Sequence, residues 1–350
     1  MIKQETKLQK DLNYIIEHTS QLWPLLKGKK VFLTGGTGFF GVWLVKSFLH
    51  ANSTFQLEAS IIVLTRSVEK FLTRYPELDN IEALQFIEGN VKDFEFPLKS
   101  VDYIIHAAAE TSITLNTHEP LAMLDTIVQG TRRLLNFAVA SQAKQILFVS
   151  SGGVYGKQPN EIAVIDEEYM GAPLTTDVNS AYSEAKRMAE LLCTFYHNHY
   201  GVSIKIARCF AFIGPYLPLD GSFAIGSFIK NVLDGKDVIV KGDGTPIRSY
   251  MYAADLCIWL WTILMNGKNI YPYNVGSDEA FSLSSIASII AQKGSNSKVI
   301  IQQNNVASLS SSSRYVPSVE RAKKELGLQV GANLQEAIDA TINYYKSEVK

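Results

Sequence analysis

Val31-Phe32-Leu33-Thr34-Gly35-Gly36-Thr37-Gly38-Phe39-Phe40-Gly41 joins an apolar, β-prone run to a helical pattern through glycines spaced G-x-x-G-x-x-G. Each glycine has a physical task. Gly35 permits the tight turn, Gly38 lets the backbone approach a pyrophosphate, and Gly41 lets the new helix pack closely on its strand. Phe39 and Phe40 open that helix, whose free N–H groups and positive dipole end face the same point. Alone, such a triplet is weak; after a predicted strand and at the head of a βαβ series it predicts a dinucleotide site.

The series continues outward from this loop. Short β-branched runs at 30–34, 60–65, 84–88, 103–106, 145–150 and 203–208 alternate with helical patterns at 40–51, 67–75, 120–141 and 181–200. Strands alternating with helices predict an α/β fold, a Rossmann doubly wound parallel sheet with its ligand crevice at the C-terminal strand ends. Beyond Gly214 and Pro215 the texture shifts to glycine-bearing loops and shorter helices near 223–233, 254–265 and 283–292. Three segments result: an N-terminal helical extension over 1–28, a cofactor domain over 29–213, and a smaller α/β substrate lobe over 214–350, with some interleaving of the chain. In the extension Leu8, Leu12, Ile15, Ile16 and Trp23 recur at helical spacing, the pattern of a helix packed on the next domain.

Composition excludes several classes. The 350 residues carry 33 Lys and Arg against 34 Asp and Glu, a net charge of −1, and so lack the cationic excess that dominates nucleic-acid affinity. Cys193, Cys209 and Cys257 are too few and too scattered for a disulfide framework or zinc site. No metal is expected, and a reducing cytoplasm suits the thiols. The apolar stretch 31–49 is broken by four glycines, so no membrane span is expected, and Glu5, Asp11 and Glu17 interrupt the beginning where a signal peptide would be apolar.

The end of the second strand bears on cofactor choice. An acid there would meet ribose hydroxyls, an arginine a 2′-phosphate. Thr65-Arg66-Ser67 offers the arginine, which leans toward NADP(H) over NAD; alternatively Arg66 only stacks on the adenine face and accepts either. After the third strand, Asn90 and Val91 suit contacts to the adenine.

Tyr182-Ser183-Glu184-Ala185-Lys186 puts Tyr182 and Lys186 four apart on one helix face. Ser151 follows the fifth strand. A phenol, with an ordinary pKa of about 10, is a poor base at neutrality, and lowering it by about 3 pH units takes roughly 4 kcal/mol of electrostatic help. Lys186 and a positive nicotinamide ring are the expected sources. Ser151 would orient the reacting oxygen while Tyr182 transfers its proton.

With Thr34 to Gly41, His106-Ala107-Ala108-Ala109-Glu110, Ser151-Gly152-Gly153, Tyr182 to Lys186, Gly242 to Tyr252 and Tyr273-Asn274-Val275-Gly276, the chain resembles the extended short-chain dehydrogenase/reductase family, in its nucleotide-sugar epimerase/dehydratase branch. The resemblance covers nearly all of 29–345. It implies catalysis by Ser151, Tyr182 and Lys186 through a transient 4-keto sugar, and cofactor contacts at Gly35, Gly38, Phe39, Phe40, Gly41, Arg66, Asn90, Val91, Ala107 and Ala108 as well as Tyr182 and Lys186. A nucleotide-diphosphate sugar would meet Glu110, Thr111, Ser112, Gly152, Gly153, Phe223 and Arg248, the last binding the diphosphate unless it pairs with Asp243 or Asp255. A homodimer through helices 120–141 and 181–200 is also implied.

Dehydratases of this branch carry Asp-Glu where Gly152 and Gly153 stand, and the decarboxylases keep a Glu at the second position. The sequence therefore favours an NDP-hexose 4-epimerase. A 4-keto-sugar reductase using NADPH is the alternative, a dehydratase or decarboxylase with a relocated base ranks below it, and a non-catalytic NADP-sensing protein is the rival outside enzymes.

Overall fold

The structure, a computed structural model, describes residues 6–97, 99–108, 118–219, 221, 223–302 and 313–348. The chain lays down α1 (Lys7–His18), β1 (Lys30–Thr34), α2 (Phe39–Phe55), β2 (Ser60–Thr65), α3 (Val68–Arg74), β3 (Leu84–Glu88) and β4 (Tyr103–His106). After these come α4 (Pro120–Ala140), β5 (Gln145–Ser151), α5 (Ala181–Tyr200), β6 (Ile204–Cys209) and β7 (Phe212–Ile213). Next are α6 (Ala224–Leu233), β8 (Val238–Lys241), β9 (Ile247–Arg248), β10 (Met251–Tyr252), α7 (Ala253–Asn266) and β11 (Pro272–Val275). The chain closes with β12 (Phe281–Ser282), α8 (Leu283–Ala291), β13 (Val299–Gln302), β14 (Arg314–Tyr315), α9 (Glu320–Leu326) and α10 (Leu334–Glu348).

The main sheet has seven strands in the order β11-β6-β5-β4-β1-β2-β3, all parallel. Its central strands are buried on both faces, which is why they read as continuous apolar runs. Strand order reverses between β1 and β4, and ligand crevices form at such switch points. The seventh strand comes from beyond residue 214: β11 pairs with β6 from Pro272 opposite Ile206 to Val275 opposite Cys209. Smaller sheets β12-β9-β14, β13-β8 and β10-β7 build the remainder.

α1 docks as its spacing predicts, burying Leu12, Ile15 and Ile16, while Trp23 stacks edge-on against Trp261 of α7 at 5.1 Å. Burial of each such side chain is worth about 1.5–3 kcal/mol. Buried with them is Asp11. Its carboxylate accepts from the Tyr252 hydroxyl at 2.6 Å and pairs with Lys7 at 2.9 Å, which offsets a desolvation that raises its pKa. Trp259 and Trp261 of α7 are wholly buried, as core residues should be. Among the described residues no helix is long and apolar enough to cross a membrane, and no group of three or more His, Cys, Asp and Glu is placed to hold a metal ion.

Candidate active site

At the C-terminal ends of β1, β4, β5 and β6 lies a cavity of about 900 Å³. The glycine loop forms one wall. Gly35 has φ +75°, and a Cβ there would lie 2.6 Å from the backbone of Ala107 and Ala108, so β1's turn and the exit of β4 fit only without a side chain. A Cβ on Gly41 would stand 2.2 Å from the Gly35 carbonyl oxygen, while one on Gly38 would meet nothing nearer than 3.5 Å. Gly35 and Gly41 therefore serve the turn and its packing, and Gly38 leaves open space in front of a helix N-terminus that no side chain caps. Bare N–H groups beside a side-chain-free turn fit the phosphates of a dinucleotide.

Below the loop, His106 is fully buried between the Thr34 hydroxyl at 2.7 Å and the Thr131 hydroxyl at 3.0 Å. Burial, with Lys186 nearby, pushes its pKa down to about 3, so the ring is neutral at any ordinary pH. It braces β1, β4 and α4 through side-chain hydroxyls.

The opposite wall carries the candidate chemistry. Ser151 ends β5 and caps a tight turn over Gly152–Tyr155, its hydroxyl accepting from Gly153 N–H at 3.1 Å. Tyr182 and Lys186 face the cavity from the first turns of α5. Lys186, almost fully buried, donates to the Val149 carbonyl at 2.7 Å and sits 4.9 Å from the centre of the Phe148 ring. Desolvation pulls its pKa down to about 8. Burial drives Tyr182 the other way, up to about 12, opposed by a hydrogen bond with Ser151. Burial thus outweighs, in the protein alone, the lowering that the sequence leads one to expect for this phenol.

Of the residues predicted from sequence, Gly35, Gly38, Phe39, Phe40, Ala107, Ser151, Tyr182, Lys186, Phe223 and Arg248 line the cavity. Gly41, Arg66, Asn90, Val91, Ala108, Gly152 and Gly153 are not among its lining residues. Arg66 is exposed at the end of β2, Asn90 caps a turn by accepting from Lys92 N–H at 3.1 Å, and Val91 packs against Gly130 of α4. Glu110, Thr111 and Ser112 lie outside the described residues.

Arg248 makes neither suggested ion pair. Its guanidinium donates to the carbonyls of Ile247 and Ser313, both at 2.8 Å, and to the Ser313 hydroxyl at 3.2 Å. Asp243 is occupied by Thr245, and Asp255 by Tyr14 and the backbone of Gly331 and Ala332. A partly buried guanidinium held by neutral oxygens keeps its full charge for an anion in the cavity.

A side chain at Gly152 or Gly153 would require its neighbours to shift. A Cβ at 152 would lie 2.7 Å from the Phe210 ring and from the Tyr315 hydroxyl; one at 153 would lie 2.7 Å from Ser183 Oγ and 3.3 Å from Ser151 Oγ. Sequence reasoning missed Ser183, Phe210, Tyr250 and Tyr315, all of which line the cavity. Ser183 sits inside the Tyr-x-x-x-Lys pentapeptide and Tyr250 falls within the Gly242 to Tyr252 stretch, but nothing local says which way an aromatic ring points.

A dinucleotide fold with Ser, Tyr and Lys converging at its strand ends defines an extended short-chain dehydrogenase/reductase. The chain belongs to the NAD dependent epimerase/dehydratase family, whose family model matches residues 31–276. It is 28% identical over 325 residues to UDP-glucuronic acid decarboxylase 1 of Xenopus tropicalis, covering 92% of this chain and 73% of that protein. Among solved structures it is similar to a dTDP-glucose 4,6-dehydratase from Streptomyces venezuelae with NAD and TYD bound, 25% identical, with TM-score 0.76 over 91% of this chain and 97% of that one. An epimerase from Methanothermobacter thermautotrophicus shares the fold at TM-score 0.80 and 21% identity, covering 95% of this chain and 97% of that one.

Proposed function

We propose that the protein is a nucleotide-diphosphate-sugar 4-epimerase acting through a transient 4-keto sugar. The observation that carries this reading is the pair Gly152 and Gly153, which put no carboxylate beside Ser151, and a Cβ at either would crowd Phe210, Tyr315 or Ser183. What remains is hydride and proton transfer at one carbon. A bound nicotinamide dinucleotide supplies hydride acceptance and return. Tyr182 takes the proton of the C4 hydroxyl and gives it back, Ser151 hydrogen-bonds the same oxygen and orients it, and Lys186 supplies positive charge from beneath. Arg248 binds the diphosphate, with Phe223 on the nucleotide side. Arg66, at the end of β2, is the contact for a 2′-phosphate and favours NADP(H), whereas hydride return to the same sugar suits tightly held NAD.

Decarboxylation is the second reading, favoured by the name of the Xenopus relative. Oxidation at C4 of a sugar acid leaves its carboxylate β to a ketone, from which CO2 departs with its electron pair passing into the carbonyl; C5 must then be reprotonated without the missing Glu. One experiment separates the readings: incubate the protein with UDP-glucose, UDP-galactose and UDP-glucuronic acid and follow the products by NMR. Epimer formation without added NADPH is expected. Release of CO2 with formation of a UDP-pentose overturns the epimerase in favour of the decarboxylase, and no turnover of these three together with NADPH oxidation on an added 4-keto sugar favours the ketoreductase.

A further inference from the structure

One wall of the cavity rests on a backbone conformation that a side chain resists. Tyr216 stands at φ +72°, in the left-handed region that a bulky residue adopts only under constraint, and Leu217 and Pro218, which follow it, line the cavity. Strained residues of this kind persist where their surroundings over-determine them. The Pro215 carbonyl, just before Tyr216, accepts from Trp43 Nε1 at 2.9 Å, and the Leu217 carbonyl, just after it, accepts from the Tyr345 hydroxyl at 2.5 Å. Between these two anchors the buried Tyr216 ring meets Tyr344, Tyr75 and Trp43 edge-on, with centroids 5.0, 5.6 and 5.9 Å away.

The anchors come from outside the cavity. Trp43 belongs to α2 and Tyr345 to α10, and neither is among the lining residues. What they hold is carried inward by contact. A Cβ on Gly226 would lie 2.6 Å from the Pro218 carbonyl oxygen, so α6 sits directly on this segment, and Phe223, Ala224 and Ile225 at its start line the cavity beside Leu217 and Pro218. If either anchor is lost, Tyr216 can relax toward negative φ, and the movement displaces both the 217–218 wall and the seat of α6. Trp43 also lies two residues beyond Gly41, so the helix whose N-terminus faces the cofactor phosphates holds the substrate wall as well.

We propose that Trp43 and Tyr345 are positioning residues for the nucleoside diphosphate of the substrate. By fixing the carbonyls on either side of Tyr216, they keep Leu217, Pro218 and the start of α6 in the arrangement that binds it, without touching it themselves. This rests on the nucleotide-sugar reading of the cavity. Nothing in the glycine loop or the Tyr-x-x-x-Lys pattern requires it, and it gives the last helix of the chain a part in substrate affinity.

The test is calorimetric titration of the full chain, well below its melting temperature, with UDP, dTDP, GDP and CDP, and separately with NAD and NADP. Tyr345→Phe removes one oxygen and keeps the ring. It is expected to weaken binding of the nucleoside diphosphate that the wild type binds best by about threefold, the worth of one neutral hydrogen bond, while cofactor affinity stays at the wild-type value. Trp43→Phe is expected to weaken the same diphosphate by at least as much; should that variant fail to fold, Tyr345→Phe decides alone. Unchanged diphosphate affinity in Tyr345→Phe, or an equal loss for diphosphate and cofactor, overturns the proposal and leaves the nucleotide-sugar reading intact, since a purely structural hydrogen bond would lower the melting temperature without separating the two ligands. A wild type that binds cofactor but none of the four diphosphates overturns the nucleotide-sugar reading and this role together.

Discussion

Lys186→Met is expected to make the protein more stable and inactive at once. Lys186 is held with its charge among Val149, Phe148 and Cys209, and its pKa falls from an ordinary 10.5 to about 8. Below about pH 8 both the native and the unfolded chain hold the proton, and the native state bears the full cost, about 3 kcal/mol. Between about 8 and 10.5 only the unfolded chain holds it, so wild-type stability climbs with pH relative to any variant lacking the group; above 10.5 the cost is gone. Methionine matches the length and removes the charge. Losing the bond to the Val149 carbonyl takes back about 1 kcal/mol, leaving the variant ahead by about 2 kcal/mol at pH 7 and about level with wild type at pH 10. Urea unfolding of both proteins across that range measures the difference directly. If the variant is the less stable at pH 7, or if the two stability curves run parallel from pH 7 to pH 10, the buried ammonium is not the source of strain argued here.

Two further outcomes follow from the geometry. Gly35→Ala places a methyl 2.6 Å from the Ala107 backbone at φ +75° and is expected to cost at least about 2 kcal/mol in thermal unfolding, together with cofactor binding; wild-type stability would mean that the turn relaxes freely. If α4 and α5 form a dimer contact, the exposed Met188, Leu191 and Phe195 of α5 are its apolar stripe, and Phe195→Glu should shift the protein from dimer to monomer in light scattering with the fold intact.

Five of the main-sheet strands on the N-terminal side were legible because strands buried on both faces are written as apolar runs between glycine and polar breaks, and the edge strand β3, half-exposed as LQFIE, was legible from its place in the alternating series. β11 was not. It spans only Pro272–Val275 and has a buried polar residue at its centre, Asn274. That asparagine is satisfied by Tyr155, Ile165, Glu167 and Ser318, partners far away in sequence. Ser151, Tyr182 and Lys186 were legible for a similar reason: strand end and helical spacing are local facts. Tyr315 stands 133 positions from Tyr182 and is brought to the same cavity by β14, which pairs with β9. The reversed electrostatics of Tyr182 were also hidden, since burial is a property of the assembled crevice.

The position of β11 bears on how the chain is made. A ribosome delivers β6 long before its outer neighbour, and delivers Trp23 long before Trp261. Until α7 and β11 have emerged, the nascent Rossmann half carries an open parallel edge and an uncovered aromatic face, the features that invite pairing with the wrong chain. Cutting after residue 213 would therefore yield an aggregation-prone fragment in place of a small cofactor-binding protein, and the two halves are best regarded as one cooperative unit of synthesis and folding.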